Sequence, residues 1–383
     1  MENKIPQCPI YKKCSSCQLQ NLTYDKQLAF KQGKAVSALG QFCHVSDICG
    51  MYYPLHYRNK LSASFEMRRG RVISGIWQSS SGKIVKTDGC MIEDKLSSDI
   101  VKTICRLANK LDIPAYDRYR GVGFLRNVLI RRGFKTSQIL VNIVSNGPIF
   151  PRRAQFIDEL ISAHPEITTV THSQNSSDTE ILHSGREKVL YGGGYITDKL
   201  LGCTFKITSS AFYQINPSQT EKLYSKAISL ASLTGNETVI DAYCGVGTIG
   251  ICAAKGAKKV ISVETNADAV RCAIDNAHLN NVKNVRVYRA DATQFLSDMA
   301  QNVETCDVIF MDPPRAGASR EFIEAAAHVG AKRIVYISCN VETQARDIAL
   351  FESLGYTAKS AYPYDMFPFT NHVETVCLLS RNK

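Results

Sequence analysis

From about Thr197 to the C-terminus, short apolar runs alternate with segments long enough to be helices. "ETVIDAYCG", "KKVISVET", "NVRVYRAD", "CDVIFMDPP" and "KRIVYISCN" are the first five such runs. Runs of this kind separated by crossover segments predict a parallel sheet with helices packed on its faces. A sixth run, "VETVCLLS", reads as a late antiparallel strand. The expected architecture is α/β, a doubly wound, mostly parallel sheet, in which ligands sit at the carboxyl ends of the strands. Asp241, Glu264, Asp291, Asp312 and Cys339 all fall at or just beyond those ends.

The first half has a different period. "KLSASFEMRRGRVISGIW" and "GFLRNVLIRRGFKTSQILVNIV" alternate apolar with basic or polar residues, as antiparallel strands with one wet face do. "LTYDKQLAFKQGKAVSAL" instead has helical character despite Gly33. "THSQNSSDTE" and "YGGGY" are turn signals that place a domain junction near residue 195. The pattern therefore divides the chain into an N-terminal, mainly antiparallel α+β region over 1–195 and an α/β domain over 196–383. The helix near 22–40 is expected to pack on the second domain.

Charge sharpens this division. Residues 1–195 carry 27 Lys and Arg against 16 Asp and Glu, whereas residues 196–383 carry 19 of each. The whole net charge of +11 thus lies in the first half, which points to a polyanionic partner such as nucleic acid. Arginines there are interleaved with Phe65, Trp77, Tyr116, Tyr119, Phe124 and Phe134, a mixture suited to phosphates and unpaired bases. No stretch is long and apolar enough to cross a bilayer, and "MENKIPQCPIYKKC" lacks the regions of a signal peptide. Both features point to the cytoplasm and away from membranes. In that compartment the 14 cysteines would stay reduced, so a local cluster of them suggests ligands or nucleophiles.

Three stretches carry candidate chemistry in the second half. "DAYCGVGTIG" places Gly245, Gly247 and Gly250 between a strand and a helix, where bare backbone can approach a ligand. Glu264 ends the next strand, positioned to accept ribose hydroxyls. A nicotinamide cofactor and S-adenosylmethionine (SAM) both carry that ribose, so these residues do not choose between them. "MDPPRAG" stiffens the end of the fourth strand with two prolines and aims Asp312 outward. Similar Asp-Pro-Pro loops mark methyltransferases that act on nucleic acid bases. Cys339 closes the following strand in "VYISCN" and should face the same crevice. A thiolate there could add to C6 of a uracil and make C5 nucleophilic, and the helix expected over "VETQARDIAL" could favour that thiolate through its N-terminus. Removing the C5 proton afterwards needs a base. "FPFTNHVETV" offers His372 and Glu374, of which Glu374 is preferred because a carboxylate within an apolar run is costly without a task. In the first half, "CPIYKKCSSC" and "TDGC" supply Cys8, Cys14, Cys17 and Cys90, a soft donor set for an iron-sulfur cluster or a structural zinc.

Taken together, "CPIYKKCSSCQLQ", "DGC", "SAFYQINPSQTEKLY", "DAYCGVGTIG", "VET", "MDPPRAG", "YISCN" and "FPFTNHVETV" resemble the SAM-dependent RNA (uracil-5-)methyltransferases. The closer likeness is to their iron-sulfur-containing 23S ribosomal RNA branch. The resemblance implies that Gln214, Tyr243, Glu264 and Asp312 bind SAM beside Gly245 and Gly247. It implies Cys339 as nucleophile, Glu374 as base, and Cys8, Cys14, Cys17 and Cys90 as ligands of a [4Fe-4S] cluster. The implied activity is formation of 5-methyluridine in 23S rRNA by a cytoplasmic monomer, with transfer RNA as the alternative target. A nicotinamide-dependent oxidoreductase and a non-catalytic RNA-binding protein are the more distant readings. Two departures stand out: Val341 follows Asn340 where the family has proline, and the chain has no room before Cys8 for the small β-barrel with which many relatives begin.

Overall fold

The structure is a computed structural model and describes residues 7–78, 81–175 and 187–382. Its eight-stranded sheet runs in the order His44–Val45, Tyr356–Tyr364, Glu374–Arg381, Arg333–Ser338, Val308–Met311, Thr238–Ala242, Lys259–Glu264, Val285–Arg289. The five strands from Thr238 to Ser338 pair in parallel, and Glu374–Arg381 is antiparallel to both of its neighbours. This is a Rossmann-like sheet with a mixed edge, as the apolar runs predict. The strand order reverses between Thr238–Ala242 and Val308–Met311, which opens the crevice characteristic of doubly wound sheets.

Two strands of this sheet are not evident from the apolar runs. Tyr356–Tyr364 carries Ser360, Lys359 and Tyr362 among its apolar residues and has an irregular register near Ala358. His44–Val45 is only two residues long and comes from the other half of the chain, pairing in parallel with Ser360 and Ala361. The helix Tyr24–Leu39 precedes it and buries Gln27, Lys31, Ala35 and Leu39, spaced every four residues along one face. Ala35 and Leu39 enter the core on one side of the eight-stranded sheet. An added Cβ at Gly33 would meet open space, so no close approach requires glycine within this helix.

The basic half forms a seven-stranded sheet ordered Lys83–Val85, Arg71–Gln78, Lys60–Arg68, Leu125–Arg132, Ile139–Ser145, Ile167–Gln174, Glu187–Tyr191. It is antiparallel except between Ile139–Ser145 and Ile167–Gln174, which the helix Arg153–Ala163 connects as a parallel crossover. That helix and Lys95–Lys110 cover one face with Ile100, Ile104, Leu107, Phe156 and Leu160. The alternation in the strands announces a covered face but not what covers it.

Lys31 and Asp365, both fully buried, form an ion pair that ties the Tyr24–Leu39 helix to the segment entering the last strand. Lys31 Nζ also donates to the Phe367 carbonyl at 2.9 Å, and Tyr24 Oη donates to Asp365 Oδ2 at 2.8 Å. Burial pulls the pKa of Lys31 down, and Asp365 opposes that shift. Removing one member of such a pair leaves the other charge uncompensated, at a cost of about 3–5 kcal/mol. Lys31→Met should therefore lower unfolding free energy by about that amount in urea titration, and Lys31→Met with Asp365→Asn should recover most of it.

Candidate functional site

A cavity of about 540 Å³ opens at the carboxyl edge of the parallel strands. Gln214, Tyr243, Gly245, Glu264, Asp312, Cys339 and Glu374 all line it, although they span 161 positions of sequence. Gly247 does not. It caps the helix Thr248–Ala253 with φ +82°, and a side chain there would press on Ile251 and Ala273.

Each wall has a local cause. At the first strand the chain turns sharply through Tyr243 (φ +61°) and Gly245 (φ +55°), the second a conformation that glycine adopts without strain. Gly250 comes so close to Asp241 and Ser262 that a Cβ would lie under 3 Å from both, and its N–H donates to Asp241 Oδ2 at 2.8 Å. Glu264 accepts from Gly245 N–H at 3.1 Å, Asn266 N–H at 2.8 Å and the Thr265 hydroxyl at 3.1 Å. About one of its four acceptor positions remains, so a ribose diol must displace the Thr265 hydroxyl to be held by both oxygens. Asp291, also at a strand end, instead caps the helix Ala292–Gln301 through Thr293 and Gln294 N–H.

On the other side of the reversal, the loop after Met311 is tied to the helix Val341–Ser353. Asn340 Nδ2 and the Thr343 hydroxyl both donate to the Arg315 carbonyl at 3.2 Å, and Asp347 accepts from Ala318 N–H at 2.8 Å. Asn340 caps that helix by accepting from Glu342 N–H. Val341 takes the first helical position, where proline is also favoured, and buries its side chain in the core. The departure from the family motif thus leaves the helix start intact.

Register brings Cys339 and Glu374 to the same edge. The ladder ends with Ser338 opposite Thr375, so Cys339 follows and Glu374 precedes that last pair, and both line the cavity. Burial, reinforced by Asp312 and opposed by Arg315, pushes the Glu374 carboxyl up to about 8. Burial alone lifts Asp312 to about 7, and burial with Glu374 and Asp312 lifts the Cys339 thiol to about 11, again opposed by Arg315. Burial and the two carboxylates therefore favour the protonated thiol, contrary to the expectation of a favoured thiolate. A cation placed among these groups would reverse the balance.

The cavity also holds residues that motif reading passes over. Arg315, directly after Asp-Pro-Pro, is one, and its guanidinium lies 3.5 Å from His372, the alternative base. Phe212, 65% exposed, stands at the mouth. Lys60 comes from the seven-stranded half, where nothing in its sequence context marks it. That half also shapes the "SAFYQIN" wall. Asn59 donates its side-chain amide to the Gln214 carbonyl and its backbone N–H to the Ile215 carbonyl, both at 2.9 Å, and buried Arg131 donates to the Ser209 and Ala211 carbonyls.

Cys8, Cys14, Cys17 and Cys90 line a separate small cavity with Arg58 and Glu93. The donor set fits a group held by thiolates. Burial pushes Cys17 up to about 11 and Cys90 to about 12, and nearby thiols add to both shifts, a strain that a bound cation relieves. Among the described residues, however, no three His, Cys, Asp or Glu side chains converge closely enough to hold a metal ion. Packing alone gathers these thiols without setting coordination geometry, which metal-ligand bonds impose.

The raised Glu374 pKa has a consequence for stability. The folded protein keeps a proton there that the unfolded chain releases near the ordinary value of 4.5. The resulting stability is full below that value and is lost as pH rises through about 8. Glu374→Gln removes the charge at similar volume. Its Tm relative to wild type should rise between about pH 4.5 and about pH 8 and level off above that, as measured by calorimetry.

The family model described as tRNA (Uracil-5-)-methyltransferase matches residues 158–382. An uncharacterized RNA methyltransferase of Halalkalibacterium halodurans is 36% identical over 377 residues, covering 97% of this chain and 82% of that protein. One from Oceanobacillus iheyensis is 37% identical over 381 residues, covering 98% and 83%. Among solved structures, the tRNA (uracil-54, C5)-methyltransferase of Pyrococcus abyssi in complex with S-adenosyl-L-homocysteine superposes with a TM-score of 0.79. It is 28% identical, and the match covers 98% of this chain and 87% of that one. By its motifs, its fold and these matches, the chain belongs to the tRNA (uracil-5-)-methyltransferase family.

Proposed function

We propose that this protein transfers a methyl group from SAM to C5 of a uridine in 23S ribosomal RNA, acting in the cytoplasm as a monomer. The observation that carries this reading is the juxtaposition of Cys339 and Glu374 in the cavity that Gly245, Glu264 and Asp312 also line. Residues 196–383 would perform the chemistry, and the basic region over 1–195 would hold the RNA. The target base would leave its stack to enter the cavity, because a stacked uracil cannot present its ring to thiol and sulfonium together.

In this reading Gln214, Tyr243, Glu264 and Asp312 hold SAM, with its positive sulfur near the carboxylates that raise Cys339. Cys339 Sγ releases its proton to solvent water and, as thiolate, bonds to uracil C6, and the C5=C6 electron pair moves to C5 and O4 as an enolate. C5 attacks the methyl group, and S-adenosylhomocysteine leaves with the electrons of the broken C–S bond. Glu374, ionised, removes the C5 proton; the C6–S bond breaks and Cys339 departs as thiolate, restoring the aromatic ring. The pKa of Glu374, near 8, suits a group that must take and release a proton at neutral pH.

Cys8, Cys14, Cys17 and Cys90 would hold a [4Fe-4S] cluster, the trait of the 23S branch. When bound it would cross-link the 8–17 segment to Cys90. A transfer RNA target is the second reading, favoured by the likeness to the Pyrococcus abyssi enzyme. Mapping 5-methyluridine in ribosomal and transfer RNA from cells with and without the gene separates the two.

RNA containing 5-fluorouridine should trap wild-type protein and SAM as a band resistant to denaturing electrophoresis, since fluorine cannot leave as a proton does. Cys339→Ser should give no band, and Glu374→Gln should accumulate the adduct even with ordinary uridine. Absence of a wild-type adduct would overturn the mechanism. For the cysteine cavity, anaerobically purified protein should contain about four irons per chain and absorb near 400 nm. Cys90→Ser should lose both iron and absorption, and iron-free wild-type protein would refute the cluster.

A further inference from the structure

Strand Lys60–Arg68 begins at the main cavity, where Lys60 is part of the wall, and its other end reaches a second cleft of about 270 Å³ lined by Phe65 and Met67. Five to seven residues of strand separate the two, roughly 17–24 Å. Trp77, from the neighbouring strand, and Tyr116, Arg118 and Tyr119 complete the cleft. We propose that this cleft is a second RNA subsite, which takes one unpaired base of the same RNA several nucleotides from the target uridine. This rests on the reading of RNA as substrate and adds where else the strand is held.

The chemistry of the cleft favours a nucleobase. The Arg118 guanidinium lies 4.4 Å over the Trp77 ring, and that of Arg126 lies 4.6 Å over Tyr116. Guanidinium planes backed by aromatic rings offer flat cationic surfaces, which attract both the face of a base and its phosphate. Tyr119 is 85% exposed, yet its backbone is pinned. Asp117 Oδ1 accepts from Tyr119 and Arg120 N–H at 2.9 and 3.1 Å, and Asp117 N–H donates to the Val122 carbonyl at 2.7 Å. A ring held out on a fixed turn loses little freedom on stacking. The acidic neighbours are committed within the protein: Asp117 to that turn, and Glu66 to Arg68 Nε at 2.8 Å and Ile84 N–H at 3.0 Å. The surrounding half carries the whole basic excess of the chain, so a polyanionic strand suits this cleft better than a protein segment.

Trp77 is the only tryptophan in the sequence, so its fluorescence reports directly on this cleft. The full-length protein is titrated with a single-stranded RNA of about twelve nucleotides carrying a central 5-fluorouridine, and with a trinucleotide around the same base. The longer RNA should quench or shift Trp77 emission, and the trinucleotide should not. Tyr119→Ala should weaken binding of the longer RNA about five- to a hundredfold. The salt dependence of its binding should stay unchanged, because a stacking contact and no phosphate contact is lost. Tyr119→Phe should bind like wild type. Trp77 emission indifferent to saturating long RNA, or equal affinity of Tyr119→Ala and wild type, would overturn the subsite. The covalent band on a denaturing gel is scored in the same samples. A normal band with silent Trp77 refutes the subsite alone, whereas quenching without a band refutes the methylation chemistry and leaves the subsite standing.

Discussion

Parallel strands joined by helices all finish on one edge of their sheet, and this constraint organises the rest of the protein. It brings the turn at Gly245, the carboxylates of Glu264 and Asp312 and the thiol of Cys339 to a common cavity. Glu374 arrives from the opposite direction, because an antiparallel strand starts where its parallel neighbour ends. The same geometry loads the cavity with acids in poor contact with water. The raised pKa values of Asp312, Glu374 and Cys339 share burial as their leading cause, and Arg315 is the cation that moderates two of them. Burial thus keeps these groups largely protonated, and a positive charge bound among them would favour their ionised forms.

The segment between Asp365 and Glu374 is where the two halves of the chain meet. Lys31 and Tyr24 hold Asp365, and Gln27 Oε1 accepts from Phe369 N–H at 2.9 Å. Leu19 N–H donates to the Phe369 carbonyl at 2.9 Å, and the Tyr57 hydroxyl donates to the Pro368 carbonyl at 3.2 Å. Phe369 itself packs in a small apolar cluster with Tyr57 and Ile92, against which Cys17 and Cys90 also lie. The cysteine-bearing segment is therefore in direct contact with the approach to Glu374. A cluster bound there would brace that approach, which gives the proposed [4Fe-4S] group a structural task without any part in the methyl transfer.

Much of the catalytic half is legible in the sequence because a parallel strand buried on both faces is a short, almost wholly apolar run. "DVIFM" and "RIVYIS" could scarcely be anything else, and the residue after each run must emerge at the ligand edge. Tyr356–Tyr364 hid because a polar, irregular strand lacks that signature, and His44–Val45 because two residues carry no periodicity. Cys8, Cys14 and Cys17 announce a ligand set by type and proximity in sequence, whereas Cys90 is added by the family resemblance and joins them only in the folded structure, beside Arg58 and Glu93.

What the sequence determined by itself was local and periodic: the strand order of chemistry along the chain, the glycine turn, the stiff Asp-Pro-Pro loop and the thiol at a strand end. Only the tertiary structure decided that Glu374 lines the same cavity as Cys339, that Lys60 and Asn59 of the basic half reach the site, and that Lys31 anchors the loop behind it. It also decided the protonation balance, because burial, Glu374 and Asp312 together raise the Cys339 thiol. The physical reason is that register, burial and charge pairing arise between segments far apart in sequence, while hydrophobic period and backbone preference act within a few residues of each other.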